Sequence, residues 1–113
     1  MKRTFIEFPG FSASLKRYEI RDDAVRQLQH DIMAGGGDTI RNTGGLSKIR
    51  MGGMERGKSG SFRVIYADYP QYSITILLEI FSKNEKANLL KCEENEFKKI
   101  KKQLDRMVEA YYG

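Results

Sequence analysis

A chain of 113 residues has room for one domain built around one core, and with 40% hydrophobic residues, six Phe and six Tyr it can bury that core without metal or disulfide staples. Its one cysteine, Cys92, has no partner for an intramolecular disulfide, which suits a reducing compartment. The net charge of +5 and the pI near 9.4 favour an acidic partner, either a nucleic acid or a protein. No apolar run is long enough to span a bilayer, and the one that follows Lys2 and Arg3 is too short for a secretory signal, so the expected location is the cytoplasm.

In chain order, RTFIEFPGF alternates like a strand and is halted at Pro9-Gly10. A short helical turn, SASLKRY, follows from Ser12. The segment DDAVRQLQHDIMAGGG predicts a helix capped by Asp22 or Asp23, with Val25, Leu28, Ile32 and Met33 on its buried face and a stop at Gly35 to Gly37. A polar loop then leads to the strand LSKIRM, whose alternation puts Lys48 and Arg50 on one face and Ile49 and Met51 on the other.

The glycine-rich loop GGMERGKSG separates this strand from SFRVIYADY, in which Phe62, Val64 and Tyr66 share one face and Arg63 and Ile65 the other. Pro70-Gln71 reads as the turn into SITILLEIFSK, an apolar run expected at the centre of a sheet. From about Asn95 a final helix carries Phe97, Ile100, Leu104, Met107, Val108 and Tyr111 at spacings of three and four, with a lysine-rich opposite face. The order predicts an α+β domain: a small antiparallel sheet with N-terminal helices and a C-terminal helix packed on it, all within residues 1–113.

In such a meander Lys48, Arg50 and Arg63 converge, and Lys83 at the end of the next strand can join them. Cleavage of RNA can use the substrate's own 2′-hydroxyl as nucleophile, so a protein need only orient the backbone, move a proton and stabilise charge on the phosphate. Arginine meets the last need with a planar fork that stays charged. Lysine crowded by cations is more readily neutral, which suits a general base. Positive charge alone can therefore make an RNA-cleaving site. No His/Cys ligand spacing is present, so neither a metal nor another cofactor is expected.

The run GGLSKIRMGGMERGKSGSFRVIY, the strand ITILLEIFSKNEKANL and the closing basic helix together resemble the RelE/HigB superfamily of type II toxins, closest to its HigB-like branch. The resemblance implies a microbial-RNase-like fold and an mRNA interferase, an endoribonuclease that cuts messages in the A site of the ribosome. It also implies a cognate antitoxin, with operator DNA contacted only through the toxin–antitoxin complex, and no membrane partner. Carried onto this chain, the family roles fall on Lys48 and Arg50 for the proton and the phosphate and on Arg63 for the transition state. Lys83 lies where some relatives supply a further basic residue, although Asn84 stands at the position of that arginine.

Arg56, Lys58 and Tyr66 are candidates for RNA contact, the first two through phosphates and the last by stacking. Each residue also has a plainer reading. Lys48 and Arg50 could guard an exposed strand, Arg63 could hold a structural ion pair, Arg56 and Lys58 could be solvated, and Tyr66 could belong to the core. The competing function is a non-catalytic RNA-binding, ribosome-binding or co-repressor module.

Overall fold

The computed structural model describes residues 2–51, 62–82 and 91–113, with side chains in the last segment from Glu93 onward. Five strands form one sheet in the order β1-β5-β4-β3-β2: β1 Thr4–Glu7, β2 Asp38–Thr39, β3 Ser47–Met51, β4 Phe62–Tyr69 and β5 Ile74–Ser82. Helices α1 (Pro9–Arg17) and α2 (Asp22–Met33) cover one face, and α3 (Lys91–Tyr112) covers part of the other. The α+β architecture is as the sequence predicts. The sheet, however, is mixed. β3, β4 and β5 form the antiparallel meander, whereas β1 joins β5 in parallel, pairing Thr4 with Ile74 and Glu7 with Leu77.

Local chemistry sets the helix ends. Pro9 does more than halt β1, because a proline's fixed φ suits the first helical position, and α1 begins there rather than at Ser12. At α2 the N-cap is Arg21, with no side-chain cap bond. Asp22 and Asp23 lie inside the first turn, where their charge favours the helix dipole. The buried stripe of α2 is Ala24, Leu28 and Ile32; Val25 sits on its flank and Met33 is 53% exposed, outside the expected core. α3 starts at Lys91, earlier than expected, and anchors through Leu104 and Val108 with Phe97 and Ile100 half-buried. Met107 and Tyr111 lie 56% and 85% exposed, which removes them from the core that their spacing suggests.

Burial on both faces of the sheet produces two apolar clusters. Phe11, Leu28 and Ile32 from the first helices meet Ile49, Met51, Val64, Tyr66, Leu77 and Ile80. On the opposite face Ile65, Ala67, Tyr69, Ile74, Ile76, Leu78 and Phe81 meet Leu104 and Val108. β5 is buried on both faces, as its sequence suggests. It carries one extra residue against β4: Ile65 pairs with Glu79 and Tyr66 with Leu77, so Leu78 has no partner opposite. Past that bulge the alternation of β5 changes phase, and Phe81 turns to the α3 face beside Arg63.

α3 is also tied to the sheet by polar contacts. Asp105 accepts hydrogen bonds from the Tyr69 hydroxyl at 2.7 Å and from Lys101 Nζ at 2.6 Å, and that ammonium lies 5.1 Å from the centre of the Tyr69 ring. Burial, the bond to Asp105 and its negative charge push the Tyr69 hydroxyl well above the ordinary tyrosine range. At Asp105 partial burial works against the charged form. The hydrogen bonds from Lys101 and Tyr69 and the lysine's charge outweigh it, and hold the carboxyl below the usual range.

A lowered folded pKa contributes stability above the unfolded value and loses it as pH falls through the folded one. Asp105→Asn is therefore expected to be less stable than the parent at pH 7, by on the order of 0.5–1 kcal/mol for a pair whose carboxylate is half exposed. In urea titrations the difference should close in strong acid, where both proteins lack the charge.

Candidate active site

Apolar alternation in β3 and β4 decides where the cations stand. Ile49 and Met51 enter the cluster beneath α1 and α2, so Lys48 and Arg50 project to the opposite face. In β4, Val64 and Tyr66 take the first direction, leaving Arg63 with Ile65 on the α3 side. The antiparallel register then sets Arg50 directly opposite Arg63 and Lys48 opposite Ile65. Residues so paired have Cβ atoms roughly 4.5–5.5 Å apart. Arg50 is exposed, whereas Lys48 and Arg63 are half-buried.

Two like charges placed opposite each other destabilise a bare sheet, so the pair favours an anion between or above it. Among the described residues, Nε of Arg63 is the buried side-chain nitrogen or oxygen without a hydrogen-bond partner. No carboxylate among those residues forms an ion pair with Lys48, Arg50 or Arg63. An unpaired donor at this depth costs energy that an incoming oxyanion would recover. On the β5 side the residue opposite Arg63 is the buried Phe81.

The chain enters β3 through a braced loop. Buried Thr43 donates its hydroxyl to the Ile40 carbonyl at 2.8 Å and accepts from the Leu46 amide at 3.2 Å, while the Ile40 amide bonds to the Leu46 carbonyl. Gly44 and Gly45 take positive φ of 78° and 117°. A side chain there would also meet Lys101, at 3.6 and 3.5 Å from the would-be Cβ atoms. The ammonium that bonds Asp105 thus lies against the loop that launches Lys48 and Arg50. Thr43, Lys101 and Asp105 were not singled out from sequence; the signals present were the Thr-Gly-Gly turn and the four-residue spacing of Lys101 and Asp105.

Tyr66 stands apart from the cations. It is 5% exposed, on the α1 and α2 face, and hydrogen-bonded to the side chain of Ser47; burial above all raises its hydroxyl pKa. The ring belongs to the core, the plainer of the two readings given for it. Lys83, Arg56 and Lys58 lie outside the described residues. A separate cleft of about 550 Å³ between α1 and α3 is lined by Glu79, Glu93 and Glu96 against one cation, Arg17, so it is a poor site for a polyanion. No group of His, Cys, Asp and Glu suited to a metal occurs among the described residues, and none of their helices is long and apolar enough to cross a membrane.

A family model described as the RelE toxin of the RelE/RelB toxin–antitoxin system matches residues 5–111. The chain belongs to the RelE toxin family. A RelE toxin is one half of a toxin–antitoxin pair, which makes an antitoxin protein a partner of this family. In this RelE-family chain the match runs from β1 through the last turn of α3 and takes in Lys48, Arg50 and Arg63.

The fit around Tyr66 is tight. A Cβ added at Gly37 would lie 1.8 Å from the tyrosine oxygen. Because the ring is packed on all sides, Gly37→Ala should lower the unfolding free energy by about 1–3 kcal/mol, the usual cost of overpacking. Chemical denaturation of the variant, alone and combined with Tyr66→Phe, would measure this, and the combined variant should recover part of the loss.

Proposed function

We propose that this toxin is an endoribonuclease that cuts mRNA in the A site of the ribosome without a metal ion, in the manner of the HigB-like branch of its superfamily. The observation that carries the reading is the facing pair Arg50 and Arg63, with the buried Arg63 Nε unpartnered among the described residues. Guanidinium groups in that arrangement suit the two non-bridging oxygens of a phosphodiester. A cluster of cations also repels a metal ion and already supplies the charge that one would bring.

In the proposed reaction the 2′-oxygen attacks the adjacent phosphorus as it loses its proton, and the bond from phosphorus to the 5′-oxygen breaks. The 5′-oxygen takes up a proton, leaving a 2′,3′-cyclic phosphate and a free 5′-hydroxyl. Lys48, two residues from Arg50 on the same face of β3, is the proposed proton acceptor. Arg63 and Arg50 stabilise the charge on the non-bridging phosphate oxygens, and Lys83 is assigned the fourth position. Arg56 and Lys58 are assigned to the phosphate backbone on either side of the cut. The antitoxin would neutralise the toxin by covering or distorting this face.

Purified protein, incubated with a defined message in the presence and absence of programmed ribosomes and in EDTA-containing and magnesium-replete arms, tests the reading by primer extension. Cuts are expected only with ribosomes, and Arg63→Ala should reduce them at least about 10²-fold while its circular dichroism matches the parent's. A folded parent protein that makes no cuts in any arm would overturn the nuclease and favour a binding or co-repressor module.

A further inference from the structure

β2 contributes two residues to the sheet, and one of them stands beside the proposed site. Asp38 is paired directly with Lys48 across the β2–β3 ladder, as Thr39 is with Ser47. Paired residues share a face, so Asp38 lies on the same side of the sheet as Lys48, Arg50 and Arg63. By ordinary sheet spacing its Cβ is about 5 Å from that of Lys48 and roughly 8 Å from that of Arg50. Across this face the order is therefore an acid at the edge, then Lys48, with the facing arginines one step along β3 and β4.

An acid beside a lysine is ordinarily its counter-ion. Here no ion pair among the described residues takes in Asp38 or Lys48, and Asp38 is exposed. The other acid of β2 to β4, Asp68, is by contrast held by Arg3 and Thr75. The backbone that carries Asp38 is fixed from behind. Its neighbour Gly37 packs so close to the buried Tyr66 hydroxyl that a Cβ there would lie 1.8 Å from the tyrosine oxygen, and Tyr66 is hydrogen-bonded in turn to the side chain of Ser47. Asp38 is thus an acceptor on a rigid support, with no described cation to occupy it.

An ionised carboxylate only accepts hydrogen bonds, and it repels phosphate. In RNA the donors are the 2′-hydroxyl, which the nuclease reading gives to Lys48, and the N–H groups of the bases. Guanine carries two of these side by side, N1–H and the N2 amino group, spaced for the two oxygens of one carboxylate. Adenine and cytosine offer one amino group next to an acceptor nitrogen, and uracil one N–H between two carbonyls, so each sets a lone pair against the carboxylate. From this juxtaposition we propose that Asp38 is a specificity-determining residue that reads guanine. Because Asp38 faces Lys48, the base it reads is that of the nucleotide whose 2′-oxygen attacks, and the cut falls on the 3′ side of that guanine. The inference rests on the nuclease reading for the place of the 2′-oxygen, and it adds the base that reading leaves open.

Ribosomes programmed with messages that differ only in the base 5′ to the mapped cut, each of the four in turn and inosine as a fifth, measure the preference. The parent is expected to cut after guanine at least about tenfold faster than after adenine, and inosine, which lacks the N2 amino group, should fall between them. Asp38→Asn keeps the side-chain shape but puts a donor where one acceptor stood, and it should bring the ratio of guanine to adenine near one. Binding separates this proposal from the nuclease reading. The oligonucleotides UUUGUUU and UUUAUUU with 2′-fluoro sugars cannot be cut, and their affinities for the purified chain are read by fluorescence anisotropy. A parent that makes no cuts but prefers the guanine oligonucleotide, with Asp38→Asn losing that preference, would sink the nuclease and sustain the base reading. Equal base ratios in parent and Asp38→Asn, in cutting or, where nothing is cut, in binding, would overturn the base reading. So would a parent preference for another base, or loss of all cutting in a folded Asp38→Asn, which would put the carboxylate in the chemistry instead.

Discussion

β4 is held between two apolar clusters, and the geometry of the proposed site rests on that constraint. Val64 and Tyr66 are committed to one face and Ile65, Ala67 and Tyr69 to the other, all 5% exposed or less. A slip of one residue would exchange the faces and drive Arg63 into the cluster beneath α1 and α2. Burying an unpaired guanidinium there would cost several kcal/mol. Core packing thus fixes which cations share a surface, even though the cations contribute nothing favourable to the pairing themselves. The facing arginines are the strained element, and the apolar residues on either side of them hold the strain.

That arrangement divides labour between the two faces. Residues 62 to 66 alternate between a packed side closed by α1 and α2 and a side on which α3 covers only part of the sheet. Phe62, its ring centre 4.8 Å from that of Tyr18 and tilted to it by 49°, packs on the closed side next to Arg63 in sequence. On the open side, contact between Lys101 and the Gly44-Gly45 turn couples the position of α3 to the start of β3. A polyanion binding across Lys48 and Arg50 would meet a backbone braced from both sides.

Much of this was legible in the sequence because its signals were local. Period-two alternation located β3 and β4 and assigned Lys48, Arg50 and Arg63 to their faces, an apolar run located β5, and the meander brought Arg63 near both cations of β3. What escaped depended on long-range geometry. No local pattern reveals that β1 lies parallel to β5, since the direction of an edge strand is set by the path of the helices that follow it. Spacing marked Met107 and Tyr111 as core, yet spacing cannot tell how far along a helix its partner sheet extends. Tyr66 was open to two readings because alternation gives a residue's face and leaves the depth of cover to α1, α2 and Gly37. The bulge at Leu78 left no mark in an unbroken apolar run, and the roles of Arg56, Lys58 and Lys83 rest on their charge, their place in the sequence and the resemblance.

The Arg3–Asp68–Thr75 contacts have a consequence for the order in which the chain assembles. Arg3 bonds to Asp68 and to Thr75, at 3.3 Å for the second, and Thr75 donates to the same carboxylate at 2.7 Å. The first strand in sequence therefore finds its place only after β4 and β5 have been synthesised, and α3, which closes the second cluster, emerges later still. Early pairing is confined to the β2–β3–β4–β5 meander, whose contacts are near in sequence and entropically cheap to form. A nascent chain on the ribosome can thus join the strands that carry Lys48, Arg50 and Arg63 well before it can pack them. The sheet can close only after Ser82 has been made, and the second cluster only after α3, so the packing behind the cation-bearing strands is the last part of the protein to form.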